Sequence, residues 1–219
     1  AKGVLRADDP YSLSTAGLQA RDYVNCGFDK ADVVITIGYD LVEYPPSRWN
    51  PDINKQIVHI DRSPGEVDRH YQLACGIEAN IPLTLDSLKD RITPRDKHPM
   101  IAQLQKMMQD EFAEFHNDFS FPMKPQKILQ MVREVMDDDD ILISDVGVHK
   151  IWIARMYPCN EPNTCLISNG FAGMGIALPG SIGAKLLYPD KRVLSINGDG
   201  GFLMNVQELE TAARLQLPI

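Results

Sequence analysis

The chain has 219 residues, enough for one large domain or two small ones, with ordinary apolar content and modest aromatics. Its net charge of −8, with no offsetting cluster of Lys and Arg, argues against a nonspecific nucleic-acid binder. No apolar run reaches the roughly 20 residues a helix needs to span a bilayer, and the four cysteines (Cys26, Cys75, Cys159, Cys165) form no Cys-x-x-Cys pair and read as reduced thiols of a cytosolic protein.

Residues 33–38 form a β-branched run ending at Gly38, the pattern of a buried strand. The prolines of residues 44–51 predict an irregular loop. Residues 57–61 are a second buried strand ending at Asp61, and Ser63-Pro64-Gly65-Glu66 reads as a helix start. Asp61 at a strand end invites a dinucleotide reading, with its carboxylate on a ribose hydroxyl. No Gly-x-Gly-x-x-Gly follows either strand, however, and an aspartate there also caps turns.

Residues 93–99 read as a linker, after which Ile101, Leu104, Met108, Phe112 and Phe115 mark one packing face of a helix. Pro125 suits the first turn of the next helix, whose apolar face is Ile128, Leu129, Val132, Val135 and Met136. The run Asp137 to Asp140 lacks the alternating carbonyl ligands and glycine of a calcium loop, so it is expected to sit in water. Residues 141–145 are a buried strand ending at Asp145, and residues 192–197 are another.

The most informative motif follows that last strand: Gly198-Asp199-Gly200-Gly201, then an amphipathic helix expected over residues 203–217. Glycines allow a ligand close to the backbone, and a helix start offers unpaired N–H groups, a combination suited to phosphate. A carboxylate inside such a site repels phosphate unless a cation lies between them. Asp199 therefore implies a divalent metal, most simply Mg²⁺, bridging to diphosphate oxygens. The bland alternative is a tight turn in which Gly and Asp serve backbone geometry only.

Residues 166–219 resemble the diphosphate-binding domain of thiamine diphosphate enzymes, and within these the acetolactate synthases of the catabolic, flavin-independent type. The resemblance is carried by Ile167-Ser168-Asn169-Gly170, Met174 to Pro179, Ser181 to Ala184, the Gly198 turn and Glu208 to Ala212. It extends upstream through Asp145 to His149, Ile151 and Trp152. It also covers residues 31–61, where Ile37 to Asp40 and Ile57 to Asp61 look like the family's central domain. The implied fold is α/β with doubly wound parallel sheets. Residues 1–92 would be part of a central Rossmann-like domain, 93–124 a linker with a helix, and 125–219 the first part of the diphosphate-binding domain.

The resemblance also implies roles. Asp199 would bind Mg²⁺, and Gly198, Gly200 and Gly201 would face the diphosphate, bordered by Val148 and His149. Met174 would prop the two rings of thiamine diphosphate into a V, with Ala172 and Gly173 beside it and Ser168 and Asn169 opening the same loop. For His149 the structural alternative is a buried histidine bonded to backbone; for Met174 it is core packing. The family's activating glutamate has no match, so no catalytic residue is assigned within the chain. The sequence reads as cut at both ends: it begins at Ala1-Lys2-Gly3 without a methionine and stops at Ile219, before the family's second metal ligand. The loop from Tyr39 through Glu43 to Tyr44 lacks the arginine of flavin-binding relatives, which argues against FAD.

The implied parent condenses two pyruvates to 2-acetolactate and CO₂ as a homodimer or homotetramer, and the chain alone is expected to be inactive. Two alternatives stay open: another thiamine diphosphate enzyme acting on pyruvate or a 2-oxo acid, as an oxidase or decarboxylase, or a noncatalytic nucleotide-binding or assembly module.

Overall fold

The computed structural model describes residues 2–16, 24–42 and 44–219. Ala1 and Glu43, used in the sequence reading, lie outside the described residues. The chain divides into two compact units, one of Ala16–Ile101 and one of Ala1–Thr15 with Ala102–Ile219.

The first unit carries α1 (Asn25–Lys30), β1 (Val33–Ile37), α2 (Pro46–Trp49), β2 (Gln56–Asp61), β3 (Leu73–Glu78) and α3 (Ile81–Lys89). Its three strands are parallel in the order β1-β2-β3. Successive side chains of a strand face opposite ways. Val34, Ile57 and the strand-flanking rings of Trp49 and Tyr71 accordingly build one core cluster, while Val33, Ile35 and Ile37 on the alternate face of β1 are exposed.

Three expectations fail here. The strand of residues 33–38 forms but is not buried: within β1 only Thr36 is buried, and one face carries exposed Val33, Ile35 and Ile37. Residues 44–51 are not wholly irregular, because Pro46 opens the short α2, a position where the missing N–H costs nothing. Ser63 to Glu66 start no helix. Instead the Asp61 carboxylate accepts the N–H groups of Arg62 (2.5 Å) and Ser63 (3.2 Å), which turns the chain at the strand end. Asp61 is thus a turn cap.

The second unit carries α4 (Pro99–Glu114, from Ala102 on), α5 (Pro125–Val135), β4 (Ile141–Ser144), α6 (Val148–Met156), β5 (Cys165–Ile167), α7 (Ala177–Leu187), β6 (Val193–Ile196), α8 (Asp199–Met204) and α9 (Glu208–Arg214). Its three strands are again parallel, in the order β5-β4-β6. Central β4 is buried on both faces, as parallel sheets demand. Ile141 and Ile143 meet Ala177 of α7 and Val193, while Leu142 meets Leu129 of α5 and Ile153 and Met156 of α6. Helices therefore cover both faces, which makes the sheet doubly wound. Phe112 and Phe115 pack against the Leu142 side and Leu104 is buried, so the apolar face of α4 serves packing. The opening segment belongs here too: Lys2 Nζ donates to the Ala154 carbonyl at 2.8 Å, and Gln105 Nε2 donates to the carbonyls of Asp9 (3.0 Å) and Ser12 (2.8 Å).

The aspartate run does not simply sit in water. Asp137 pairs with Arg192, Asp138 with Arg6 at 3.6 Å, and Asp139 with Lys191 at 3.5 Å. Asp140 is buried and accepts from the backbone N–H groups of Asp137 and Arg192 (2.8 Å each) and from Arg192 Nε (2.8 Å). The run ties the turn before β4 to the turn before β6, so its like charges are answered by basic residues from distant segments.

Burial opposes ionisation of Asp140, but the two N–H bonds and the guanidinium outweigh it and hold its carboxyl below the ordinary carboxylate value. A depressed folded-state value stabilises the fold above the unfolded value of about 4 and loses that contribution as pH falls through the folded one. Urea unfolding between neutral pH and pH 3 should therefore show stability dropping below about pH 4. Asp140→Asn should be less stable at neutral pH and show a flatter acid limb. An acid limb identical to that of the parent would refute the assignment.

Candidate functional site

Because β4, β5 and β6 run parallel, their carboxyl ends lie on one edge, and the segments that leave them start together. Ligands of open α/β sheets collect at such an edge where strand order reverses. Central β4, with β5 on one side and β6 on the other, is such a point. The segments that follow are residues 145–149 after β4, 168–176 after β5 and 197–201 after β6, and they hold every site residue expected from sequence.

The turn after β6 differs from expectation in two respects. Gly198 is the N-cap of α8, with φ −81° and ψ 166°, and Asp199, Gly200 and Gly201 form the helix's first turn. The expected single helix over 203–217 is broken into α8 and α9 around residues 205–207, where the Asn205 backbone leaves helical dihedrals (φ −132°, ψ 22°) and its side chain donates to the Gly175 carbonyl at 2.7 Å. The N–H groups of the first turn remain outside the helical ladder.

Protein neighbours crowd two of the glycines of this turn, Gly201 most of all, and leave room at Gly200. A Cβ on Gly201 would lie 2.6 Å from Asp145 Oδ2, and one on Gly198 would lie 3.3 Å from the His149 ring. A Cβ on Gly200 would meet the tip of Met174 at 3.5 Å. The turn, His149 and Met174 therefore converge. The His149 ring sits against Gly147 as well, where a Cβ would be 2.9 Å away, and its Nε2 is buried with no hydrogen-bond partner among the described residues. The buried Oδ1 of Asn197, the residue before the turn, is likewise without a partner, while its Nδ2 donates to Ser195 Oγ at 2.7 Å. A buried polar atom left unpaired costs free energy, so two of them beside one turn leave hydrogen-bonding capacity there that a polar group can satisfy.

The remaining expected residues line the open side. Asp199 and Val148 are exposed, and Met174 keeps 47% of its surface exposed. Ala172 has a left-handed φ of 45°, a Cβ on Gly173 would meet nothing within 4 Å, and Ser168 and Asn169 begin the loop at its sheet end. No hydrogen bond joins the Ser168 or Asn169 side chain to the turn among the described residues.

Sequence reasoning missed the part that three residues play in holding this arrangement. Asp145 is wholly buried, and its carboxylate accepts the N–H groups of Val146 (2.6 Å) and Gly175 (2.8 and 3.1 Å to its two oxygens). Gly175, at φ 86°, is held from the other side by Asn205. An acidic residue closing a buried strand was the available signal for Asp145; Asn205 offered none.

Comparison with known proteins finds two matching family models. Residues 145–219 match the C-terminal TPP binding domain of thiamine pyrophosphate enzymes, and residues 1–88 match the central domain of the same enzymes. The chain belongs to the thiamine pyrophosphate enzyme family. Relatives include an acetolactate synthase of Bacillus subtilis (strain 168), 38% identical over 87% of this chain and 34% of the relative. The catabolic acetolactate synthase of Raoultella terrigena is 37% identical over 87% of this chain and 35% of its own length. The large subunit of acetolactate synthase isozyme 1 of Escherichia coli (strain K12) is 32% identical over 100% of this chain and 39% of its own length. The chain thus spans between a third and two fifths of these relatives. The matched C-terminal region opens at Asp145 and contains the whole convergence just described.

The first unit has a cavity of about 340 Å³ at the carboxyl edge of β1 and β2, lined by Tyr39, Asp40, His59, Asp61, Glu66 and Tyr71 among others. His59 is held there by hydrogen bonds of its Nδ1 with Tyr71 Oη (2.8 Å) and Thr36 Oγ1 (3.2 Å). Its three carboxylates repel a diphosphate. Among the described residues no helix is long and apolar enough to cross a membrane.

Proposed function

We propose that this chain supplies the diphosphate- and ring-binding part of an acetolactate synthase, an enzyme that condenses two pyruvates to 2-acetolactate and CO₂ with thiamine diphosphate and Mg²⁺. The observation that carries this is the meeting of the Gly198 turn, Met174 and the unpaired His149 nitrogen at one sheet edge. The residues fit the group. Backbone N–H groups of Gly200 and Gly201 and the His149 ring would hold the diphosphate, with Asp199 on the metal. Val148 would border it. Met174 would support the folded rings, with the Ala172 carbonyl and the Met174 N–H bonding the pyrimidine, Gly173 keeping the backbone open beside it, and Ser168 and Asn169 at the loop entrance. The bound group supplies a thiazolium carbon that serves as the carbon nucleophile once deprotonated; these residues bind and orient it.

We assign residues 1–92 to a central domain, 93–124 to a connection and 125–219 to the binding domain. The enzyme is proposed to be cytoplasmic and to work as a homodimer or homotetramer, with its activating glutamate outside this chain, so that the chain alone is inactive. FAD is not expected, which the acidic cavity of the first unit supports. The similarity to relatives named acetolactate synthase favours this activity over an oxidase or a decarboxylase.

Calorimetry of the chain with thiamine diphosphate and Mg²⁺, against FAD and ADP, tests the reading. Binding that depends on Mg²⁺ and excludes the adenine ligands is expected. Binding of the adenine ligands alone would favour a nucleotide-binding module instead. With the full-length enzyme and pyruvate as sole substrate, acetolactate is the expected product; acetyl phosphate or acetaldehyde would reassign it.

A further inference from the structure

The geometry points to Asp145 as a positioning residue that, together with Asn205, fixes Met174 at a set distance from the Gly198 turn. This inference rests on the cofactor reading above and adds to it the device that holds the ring support and the diphosphate anchor in register.

Met174 lies in a loop that is otherwise loosely held: Phe171 and Gly173 are exposed, and Ala172 adopts a left-handed φ of 45°. The next residue is gripped on both sides. The Gly175 N–H donates to both oxygens of Asp145, at 2.8 and 3.1 Å, and the Gly175 carbonyl accepts from Asn205 Nδ2 at 2.7 Å. Those two partners belong to different elements. Asp145 directly follows β4, and Asn205 is the residue at which α8 stops.

The same Asp145 carboxylate also bears on the anchor. A Cβ on Gly201 would stand 2.6 Å from its Oδ2, so the first turn of α8 lies directly against it. One buried side chain thus touches both the anchor and the residue after the ring support. No cation pairs with Asp145 among the described residues, and N–H donors offset its charge. An isosteric amide would place an N–H₂ group where one of these oxygens now faces the Gly175 N–H, opposing two donors.

The role separates two probes. Magnesium pyrophosphate needs only the anchor, whereas magnesium thiamine diphosphate needs anchor and ring support at the right separation. Asp145→Asn and Asn205→Ala in this chain should therefore weaken thiamine diphosphate by about tenfold, the size of one charge-assisted or buried hydrogen bond, while Asn205→Ala leaves pyrophosphate affinity within roughly twofold. In the unliganded chain the Gly175 amide should exchange with solvent at least about tenfold faster in Asp145→Asn, with β4 amides unchanged.

Loss of both probes by the same factor in Asn205→Ala, or unaltered exchange at Gly175 in Asp145→Asn, would overturn the positioning role while leaving the cofactor reading intact. If Asp145→Asn loses β4 protection as well, Asn205→Ala alone decides through the ratio of the two affinities. A parent chain that binds neither probe overturns the cofactor reading, and the positioning role with it.

Discussion

Gly175→Ala should destabilise the second unit by about 3 kcal/mol. At φ 86° the backbone is in the left-handed region, where a side chain other than glycine costs about 1–2 kcal/mol. The added Cβ would also stand 2.6 Å from Asn205 Nδ2, 3.2 Å from Met204 Cβ and 3.3 Å from the Gly201 carbonyl oxygen. Asn205 cannot swing aside freely, because the same Nδ2 donates to the Gly175 carbonyl. Overpacking of this kind adds about 1–3 kcal/mol, and the combined effect is a large share of the roughly 5–15 kcal/mol that holds a domain together. Urea unfolding measures it. Gly173→Ala is the control: no atom lies within 4 Å of its Cβ position, so a change within about 0.5 kcal/mol is expected. A Gly175→Ala chain as stable as the parent would show that the 172–176 loop does not hold the conformation described.

How much of this was legible in the sequence depends on where each residue finds its partners. The strands β1, β2, β4 and β6 announce themselves through near-continuous β-branched and apolar runs, the pattern of a parallel sheet covered on both faces, although β1 leaves Val33, Ile35 and Ile37 exposed. Strand β3 does not, since Leu73-Ala74-Cys75-Gly76 mixes small residues with weak strand preference. Strand β5 is three residues long and owes its existence to pairing with β4. The segment 203–217 has helical spacing throughout, yet the backbone breaks at Asn205, whose side chain bonds the Gly175 carbonyl, and local periodicity carries no trace of a partner thirty residues away.

Asp61 and Asp145 make the same point about the site. Both end a buried parallel strand and look alike in sequence. Asp61 caps the turn that follows it, whereas Asp145 is wholly buried and reaches Gly175. The Gly198 motif was legible because its chemistry is local: a carboxylate among glycines at a helix start. The reason for its glycines was not, since the close approach they permit is to Asp145 and His149, side chains supplied by a different strand end.

Asp199→Asn should leave the fold intact and abolish the magnesium dependence of thiamine diphosphate binding. Asp199 is exposed in the first turn of α8, and its carboxylate has no hydrogen-bond or ion-pair partner among the described residues, so its removal should shift the melting temperature little. Its effect on the ligand runs through charge. A carboxylate and a diphosphate a few ångströms apart repel unless a divalent cation lies between them. With Mg²⁺ present the parent should bind thiamine diphosphate roughly a hundredfold more tightly than the variant, as expected for a lost metal ligand near a multiply charged group. With Mg²⁺ chelated the order should reverse, because the neutral amide no longer repels the diphosphate. The crossover separates a metal ligand from a turn residue, since a residue serving only backbone geometry would shift both conditions alike. Calorimetric titration of both chains with and without a chelator measures it, and an unchanged magnesium response in Asp199→Asn would remove Asp199 from the metal site.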